Sequence, residues 1–212
     1  MGKIKQNILT GISGKVGPVV GCRKNSTYYL RAQAARVSNP RTPEQQAQRG
    51  RFATVFAFLQ GIKPFIRIGY QEEAKGKSAF NAAMSYLLKK AVSEGSQGAE
   101  LDFRRVLVSV GSLMPAPDGK VTVSSGKVQF TWTDNSGLGN AEGNDTAMPL
   151  VYNRRRREAV YITKGALRKD GQATLPLPSA WKKEELVAYL GFYDPTSERV
   201  SNSLFLTVGE TV

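Results

Sequence analysis

The residues most able to do chemistry are basic side chains crowded at the start of the chain. The first 43 residues contain no Asp or Glu and eight cations: Lys3, Lys5, Lys15, Arg23, Lys24, Arg31, Arg36 and Arg41. Ammonium and guanidinium groups bind phosphates and carboxylates, and like charges repel unless an anionic partner lies close. The segment therefore predicts a partner, which is either a nucleic acid or an acidic face of another subunit. The alternative is that the charge only keeps the protein in solution.

The positive charge is distributed unevenly along the 212 residues. Residues 1–100 carry sixteen Lys and Arg against five Asp and Glu, whereas residues 101–212 carry fourteen against twelve. Further cations that could contact a partner or a phosphate lie in a predicted helix and in a second basic run: Arg49, Arg51, Arg154, Arg155, Arg156 and Arg157. The second run, "NRRRRE", falls between two predicted strands. It is either a solvated hairpin tip or a clamp for phosphates or an acidic neighbour.

Residue types that most enzymes need are scarce. The chain has no histidine and one cysteine, Cys22, so the commonest zinc ligand and the usual base of Ser–His and Cys–His catalysis are missing. Asp134, Glu142 and Asp145 crowd one loop and raise the alternative of a calcium site, but no EF-hand pattern accompanies them. The glycines of "GISGKVG" and "GLGNAEGN" lack phosphate-loop spacing and predict turns. We expect no catalytic residues, no metal and no cofactor.

The elements that must position the cations begin with a glycine-rich arm over residues 1–37. The runs "KVGPVVG" and "STYYLRAQA" predict one β-hairpin, with Pro18 marking the first run as an edge strand. An isolated hairpin is marginally stable in water, so we expect this one to pack against the rest of the chain or against a neighbouring subunit. Its unpaired edge is also a docking surface.

A helical region is predicted over residues 38–100. Thr42 followed by Pro43 and Gln45 marks a helix start, and Phe52, Val55, Phe56 and Leu59 predict one buried stripe. "KPFIRIGY" is interpreted as an apolar connector. Ser78 predicts the cap of a second helix that runs to about Val92. "SEGSQGAE", residues 93–100, has the composition of a linker.

Residues 101–212 change to an alternating pattern that predicts about eight short strands. Their sequences are "RVLVSVG", "KVTVSS", "KVQFTWT", "MPLVYN", "EAVYIT", "QATLPL", "LVAYLGFY" and "SLFLTV". Such spacing is typical of an antiparallel β-sandwich, and without a cysteine pair an immunoglobulin- or fibronectin-III-like form fits. Val128, Phe130 and Trp132 on one strand, and Ala188, Leu190 and Phe192 on another, are predicted to be core. The fold class is thus α+β: a basic hairpin, two helices, then a sandwich.

Several blocks together resemble an uncharacterised bacterial family of about this length. The blocks include "MGKIKQNILTGISGKVGPVVG", "VSNPRTPEQQAQRGRFA", "AFNAAMSYLLKKAV" and "GKVQFTWTDNSGLGNA", and the likeness covers nearly the whole chain. The opening block with "NPRTPEQQAQRGRF" is also similar to phage and prophage proteins. The first family has no known function, so the resemblance carries over no catalytic residues; the second implies a virion or assembly component.

These observations favour a non-enzymatic assembly protein that engages neighbouring subunits through its basic N-terminal segment, in the portal, neck or tail region of a phage-like particle. A homo-oligomer or larger protein assembly is expected. The alternative is an accessory protein that binds nucleic acid without reading its sequence. A carbohydrate-binding module is less favoured, because Trp132 and Trp181 look structural. No apolar segment is long enough for membrane insertion and no secretory signal is evident, so we expect the protein in the cytoplasm, or in the virion if a phage encodes it.

Overall fold

The computed structural model describes residues 2–4, 13–24, 27–35, 39–95, 98–124, 126–181 and 186–210, with only the backbone described at 2–4 and 209–210. The chain forms two compact units, residues 1–42 and residues 43–212. Both contain antiparallel sheets, and the second also contains three α-helices, so the α+β class is confirmed.

The first unit is a four-stranded antiparallel sheet. Its strands lie in the order β1-β4-β3-β2, with the bounds β1 Gly2–Ile4, β2 Gly14–Val16, β3 Val19–Lys24 and β4 Thr27–Ala32. The predicted hairpin is present as the antiparallel pair β3 and β4, but it is part of a larger sheet. The run that contains Pro18 divides into β2 and β3, because Pro18 lacks an N–H for the ladder and lies in the turn after Gly17, whose φ is +56°. Of these two strands, β2 lies at an edge of the sheet, whereas β3 is paired on both sides.

The second unit opens with three helices, α1 Pro43–Gly61, α2 Lys63–Gly69 and α3 Ala79–Lys90. The start of α1 and the Ser78 cap are confirmed, since the Ser78 hydroxyl accepts a 3.1 Å hydrogen bond from the Asn81 N–H. The predicted connector is instead helix α2. Pro64 fits its first turn, where no N–H partner is needed, and Phe65 and Ile66 are fully buried.

The buried face of α1 differs from the predicted stripe. Val55, Phe58 and Leu59 are buried, but Phe52 and Phe56 are 50% and 39% exposed. Val55, Phe58 and Leu59 face the core. The rings of Phe52 and Phe56 therefore lie to one side of the buried face of the helix. There they stack on each other with ring centroids 6.1 Å apart, and Phe56 meets Phe80 of α3 edge to face.

The predicted linker is a small hairpin, β5 Val92–Gly95 and β6 Gly98–Leu101. A hydrogen bond holds this hairpin against α1: the Thr54 hydroxyl donates to the Ala99 carbonyl at 3.1 Å. A polar, glycine-containing segment can pair with itself when a helix supports it, which composition alone does not reveal.

Two larger sheets follow. One has the path β10-β9-β12-β13 with β14 also paired to β12, and the other has the order β11-β8-β7-β15. The bounds are β7 Lys120–Ser124, β8 Lys127–Thr131, β9 Thr146–Asn153, β10 Glu158–Tyr161, β11 Gln172–Pro176, β12 Leu186–Asp194, β13 Arg199–Val200, β14 Leu204–Thr207 and β15 Gly209–Glu210. All pairs are antiparallel except β15 with β7.

The first predicted strand of this region, "RVLVSVG", is a loop. Its backbone groups bond to a side chain and a helix end: the Val108 N–H donates to the Ser203 hydroxyl at 2.9 Å and the Val110 N–H to the Gly69 carbonyl at 2.8 Å. The other seven predicted strands are confirmed as β7 to β12 and β14.

The sheet that contains β9 and β12 is buried on both faces. Tyr189 on β12 packs into a core shared with the three helices, whereas Leu190 and Phe192 pack into a second core shared with the other sheet. Val128 and Phe130 complete that second core as predicted, and both are fully buried. The layers of this unit are therefore helices, sheet and sheet.

Candidate interaction surfaces

The register of the first unit sorts its side chains onto two faces. Residues directly opposite in an antiparallel pair project to the same side. Lys15 pairs with Val20, Val20 pairs with Arg31, and the alternate positions Cys22 with Tyr29 and Lys24 with Thr27 share that side. We call this side the cationic face; its described basic residues are Lys15, Lys24 and Arg31, all exposed.

The opposite side, which we call the apolar face, carries Val16, Val19, Tyr28 and Leu30. Val16 is 60% exposed, and the other three are half-buried. Arg23 is the one described cation of β2–β4 at an apolar-face register position, and its guanidinium lies 5.4 Å from the Tyr28 ring centroid. Among the described residues of this unit only Gly21 is buried, so the sheet has no buried side chain of its own.

The remaining predicted contact residues are scattered. Lys5 and Arg36 lie outside the described residues, and Lys3 is described only as a backbone position that pairs with Tyr29. Arg41 is exposed in a left-handed conformation with φ of +53°.

The two arginines of α1 belong to the second unit. Arg49 is exposed, whereas Arg51 is half-buried and donates a 3.3 Å hydrogen bond to the Leu88 carbonyl at the end of α3. Arg51 therefore joins two helices, which gives it a structural role.

The run Arg154 to Arg157 forms the turn between β9 and β10, as the hairpin-tip interpretation predicted. Buried Asn153 fixes the turn: its carbonyl accepts from the Arg157 N–H at 2.8 Å and its side-chain oxygen from the Arg156 N–H at 2.9 Å. All four arginine side chains are exposed. Three of them, at positions 154, 155 and 157, line a cleft of about 630 Å³ between the turn, α1 and the β5–β6 hairpin.

Sequence reasoning missed the most deeply buried charge, Arg168. Its side chain is fully buried and its Nε donates to Asp145 Oδ2 at 2.8 Å, while Nη1 and Nη2 donate to Asn135 and to the Met114 carbonyl. Asp145, weighed above as a calcium ligand, is the counter-ion of this arginine. In "ALRKDG" the neighbours Lys169 and Asp170 suggest an exposed turn, and no local signal separates Arg168 from them.

Neither metal binding nor surface stacking has support in the described part of the chain. No group of three or more His, Cys, Asp or Glu there could hold a metal ion. Trp132 and Trp181 are both buried, and the Trp132 indole N–H donates to the Arg168 carbonyl at 2.8 Å. Within the same described residues, no helix is both long and apolar enough to cross a membrane.

Comparison with models of known protein families gives a match that covers most of the chain. A model of DUF6266, described as a family of unknown function, matches residues 11–207. The chain belongs to this family. The match spans strands β2 to β4 and nearly all of the second unit, so the DUF6266 region includes both the two-faced sheet and the arginine cleft. The uncharacterised family predicted from the sequence is confirmed, and no curated protein and no solved structure matches the chain.

Proposed function

We propose that this DUF6266 protein is a non-enzymatic structural or assembly subunit that engages a second copy of itself through the basic N-terminal sheet. One observation carries the proposal: the sheet presents an apolar face, and none of the side chains described in strands β2 to β4 is buried. The resemblance of the opening block to phage and prophage proteins supports a place in a virion, at the portal, neck or tail. An immunoglobulin- or fibronectin-III-like relationship of the two packed sheets is part of the same proposal.

Burial supplies the driving force for this contact. Fully covering an exposed Val, Leu or Phe-sized side chain contributes about 1.5–3 kcal/mol; Val16 offers most of such an amount, and the half-buried Val19, Tyr28 and Leu30 each offer part of it. Apposed apolar faces place the two cationic faces outward, so Lys15, Lys24 and Arg31 of the two copies do not confront each other. Among the described strands β2 has a neighbour on one side only, so its outer edge adds backbone groups for pairing beside the same face.

The apolar face predicts how a single charge affects assembly. In the full chain, Val16→Glu is expected to raise the dissociation constant of the assembly at least about tenfold, because it buries a carboxylate in an apolar contact. Light scattering after size-exclusion chromatography over a range of protein concentrations measures this. Leu138→Glu is the matched control, since Leu138 is 61% exposed in the second unit, close to the 60% of Val16. A wild-type protein that stays monomeric, or equal effects of both variants, would contradict the proposal.

The cationic face supports the second candidate function, nucleic-acid binding. Lys15, Lys24 and Arg31 share their face of the sheet with Tyr29, and basic groups together with an aromatic ring suit a single strand, with phosphates on the charges and a base on the ring. This contact needs no base readout, in keeping with the absence of a described helix in this unit.

Salt dependence tests that candidate. For fluorescently labelled oligothymidylate, the slope of log K against log salt is expected to become shallower by about 2 when Lys15, Lys24 and Arg31 are all changed to Gln. The control changes three exposed lysines of the second unit, Lys63, Lys120 and Lys127, to Gln. Equal slopes in the two triple variants would show that the cationic face does not contact the phosphates of the nucleic acid.

A further inference from the structure

The geometry points to a small-ligand site in the cleft beneath the arginine turn, separate from the proposed assembly contact. The ligand class is a carboxylate or phosphate attached to a planar apolar group. The cleft lies wholly within the second unit and its volume of about 630 Å³ is that of a small-molecule site. Its walls come from α1, the β5–β6 hairpin, the loop at Phe103 and the β9–β10 turn.

The apolar part of the site is a cluster of three aromatic rings. Tyr152 meets Phe58 edge to face with centroids 4.8 Å apart and Phe103 with centroids 5.7 Å apart, and Phe58 and Phe103 are 6.1 Å apart. Phe58 and Tyr152 are buried and belong to the helix–sheet core, so this wall is rigid. Phe103 is the half-buried ring of the cluster, so it has surface left for contact with a further planar group, whereas Phe58 and Tyr152 support it from the core.

The anion-binding part of the site is the arginine turn. The Arg154 guanidinium lies 5.1 Å from the Phe103 ring centroid, which orients it over the aromatic wall. Arg157 has a left-handed backbone with φ of +58°, fixed by its N–H bond to the Asn153 carbonyl. Guanidinium groups carried on a fixed turn bind planar carboxylate and tetrahedral phosphate with several hydrogen bonds, at less ordering cost than free side chains.

The charge and polarity of the lining agree with an anion. The lining contains three arginines and one acid, Glu100. The Glu100 carboxylate packs against Gly95 on the neighbouring strand of the small hairpin, so closely that a Cβ at Gly95 would meet its carboxyl carbon. Tyr152 contributes a hydroxyl whose pKa is raised by burial, against an opposing effect of the Arg157 charge, so it stays protonated and can donate. Among the described residues none forms a hydrogen bond with that hydroxyl.

The test uses calorimetric titration of the full chain with phenyl phosphate, benzoate, inorganic phosphate and benzyl alcohol. Phenyl phosphate or benzoate is expected to bind at least about tenfold more tightly than the two probes that carry only one half of the ligand. Whichever of the two binds better distinguishes a phosphate from a carboxylate ligand. Ring signals of Phe103 and Tyr152 in NMR spectra are expected to shift on binding.

Two variants locate the binding. Arg155→Gln combined with Arg157→Gly removes two cations, and glycine suits the left-handed position, so the turn is retained; the dissociation constant is expected to rise at least about tenfold. Ala57→Trp fills the cleft from the α1 side and is expected to abolish binding. Arg199→Gln, which removes an exposed charge from another turn of the same unit, is the control and should bind normally.

The inference is overturned if neither phenyl phosphate nor benzoate binds at millimolar concentrations, or if both cleft variants, Arg155→Gln/Arg157→Gly and Ala57→Trp, bind like the wild type. Binding of oligothymidylate at the arginines without binding of either small probe would also overturn it. Because Val16→Glu leaves the cleft intact, that variant should bind phenyl phosphate normally, so failure of the assembly proposal is distinguishable from failure of this one.

Discussion

Replacing Arg168 by Met is expected to destabilise the second unit by about 3–5 kcal/mol, because it leaves the carboxylate of Asp145 buried without a counter-ion. Both side chains are essentially inaccessible, at 0% and 1% exposure. Asp145 Oδ1 has no hydrogen-bond partner among the described residues, and Oδ2 accepts from the Glu142 N–H at 2.9 Å and from Arg168 Nε at 2.8 Å, so Arg168 supplies the positive charge that compensates burial of this carboxylate.

The loss is expected to be large because Arg168 joins three loops. Its guanidinium bonds to Asp145 and Asn135 in one loop and to the Met114 carbonyl in another at 2.7–2.8 Å, while its own backbone lies in a third. It also lies 4.2 Å from the Phe192 ring centroid in the core between the sheets. A methionine fills similar volume but donates to none of these acceptors, so three buried or part-buried polar groups lose a hydrogen bond together.

Urea unfolding followed by tryptophan fluorescence measures this change, since Trp132 and Trp181 both lie in the core between the two sheets. Arg105→Met is the control, because Arg105 pairs with Asp102 at 3.3 Å with its side chain 73% exposed, and such a pair contributes less than about 1 kcal/mol. Adding Asp145→Leu to Arg168→Met should recover part of the loss by removing the uncompensated charge. A loss no larger than that of the control would show that the buried pair does not stabilise the fold.

Arg168 also shows where sequence reasoning stops. The starts of α1 and α3 and most strands were predictable because their signals are local: Thr42 and Pro43 at the start of α1, the Ser78 cap of α3, and alternation along β8 and β12. The burial of Arg168 depends on acceptors 23 to 54 residues away, which no local pattern encodes.

The two faces of the N-terminal sheet were missed for a related reason. All the basic residues of β2 to β4 were identified, but their sides depend on register, and register depends on where the turns fall. Treating "KVGPVVG" as one strand hides the turn at Gly17 and Pro18. Once β2 and β3 are separated, Lys15 and Arg31 fall on one face and Val16 on the other.

The arginine cleft was predictable from the sequence only in part. The turn Arg154 to Arg157 was predictable from the strands on either side, whereas its aromatic wall was not. Phe58 comes from α1 and Phe103 from a loop, and they meet Tyr152 only because the helices pack on the sheet that contains β9. A hairpin predicted to be a linker supplies the remaining wall.

Gly69→Ala is the second change with a large expected effect, a loss of about 1–3 kcal/mol or more in the free energy of unfolding. Gly69 ends α2, and a Cβ there would approach the Val108 carbonyl oxygen, a backbone atom. The opposing loop cannot yield readily: Val110 donates to the Gly69 carbonyl at 2.8 Å, and Ser109 donates to the Ser201 carbonyl at 2.8 Å. Tyr70, the next residue, bonds through its hydroxyl to the Leu107 carbonyl at 2.8 Å.

Gly50→Ala is the control that distinguishes the steric contact at Gly69 from the general gain in helix propensity when alanine replaces glycine. Gly50 lies on the exposed side of α1 and a Cβ there would meet no atom within 4 Å, so alanine should stabilise by about 0.5–1 kcal/mol through helix propensity. The same substitution is therefore expected to change the urea midpoint in opposite directions at the two positions. If Gly69→Ala unfolds at the wild-type midpoint or above it, the contact between the end of α2 and the 108–110 loop is looser than the structure has it, and the helical layer is not held to the sheet at this point.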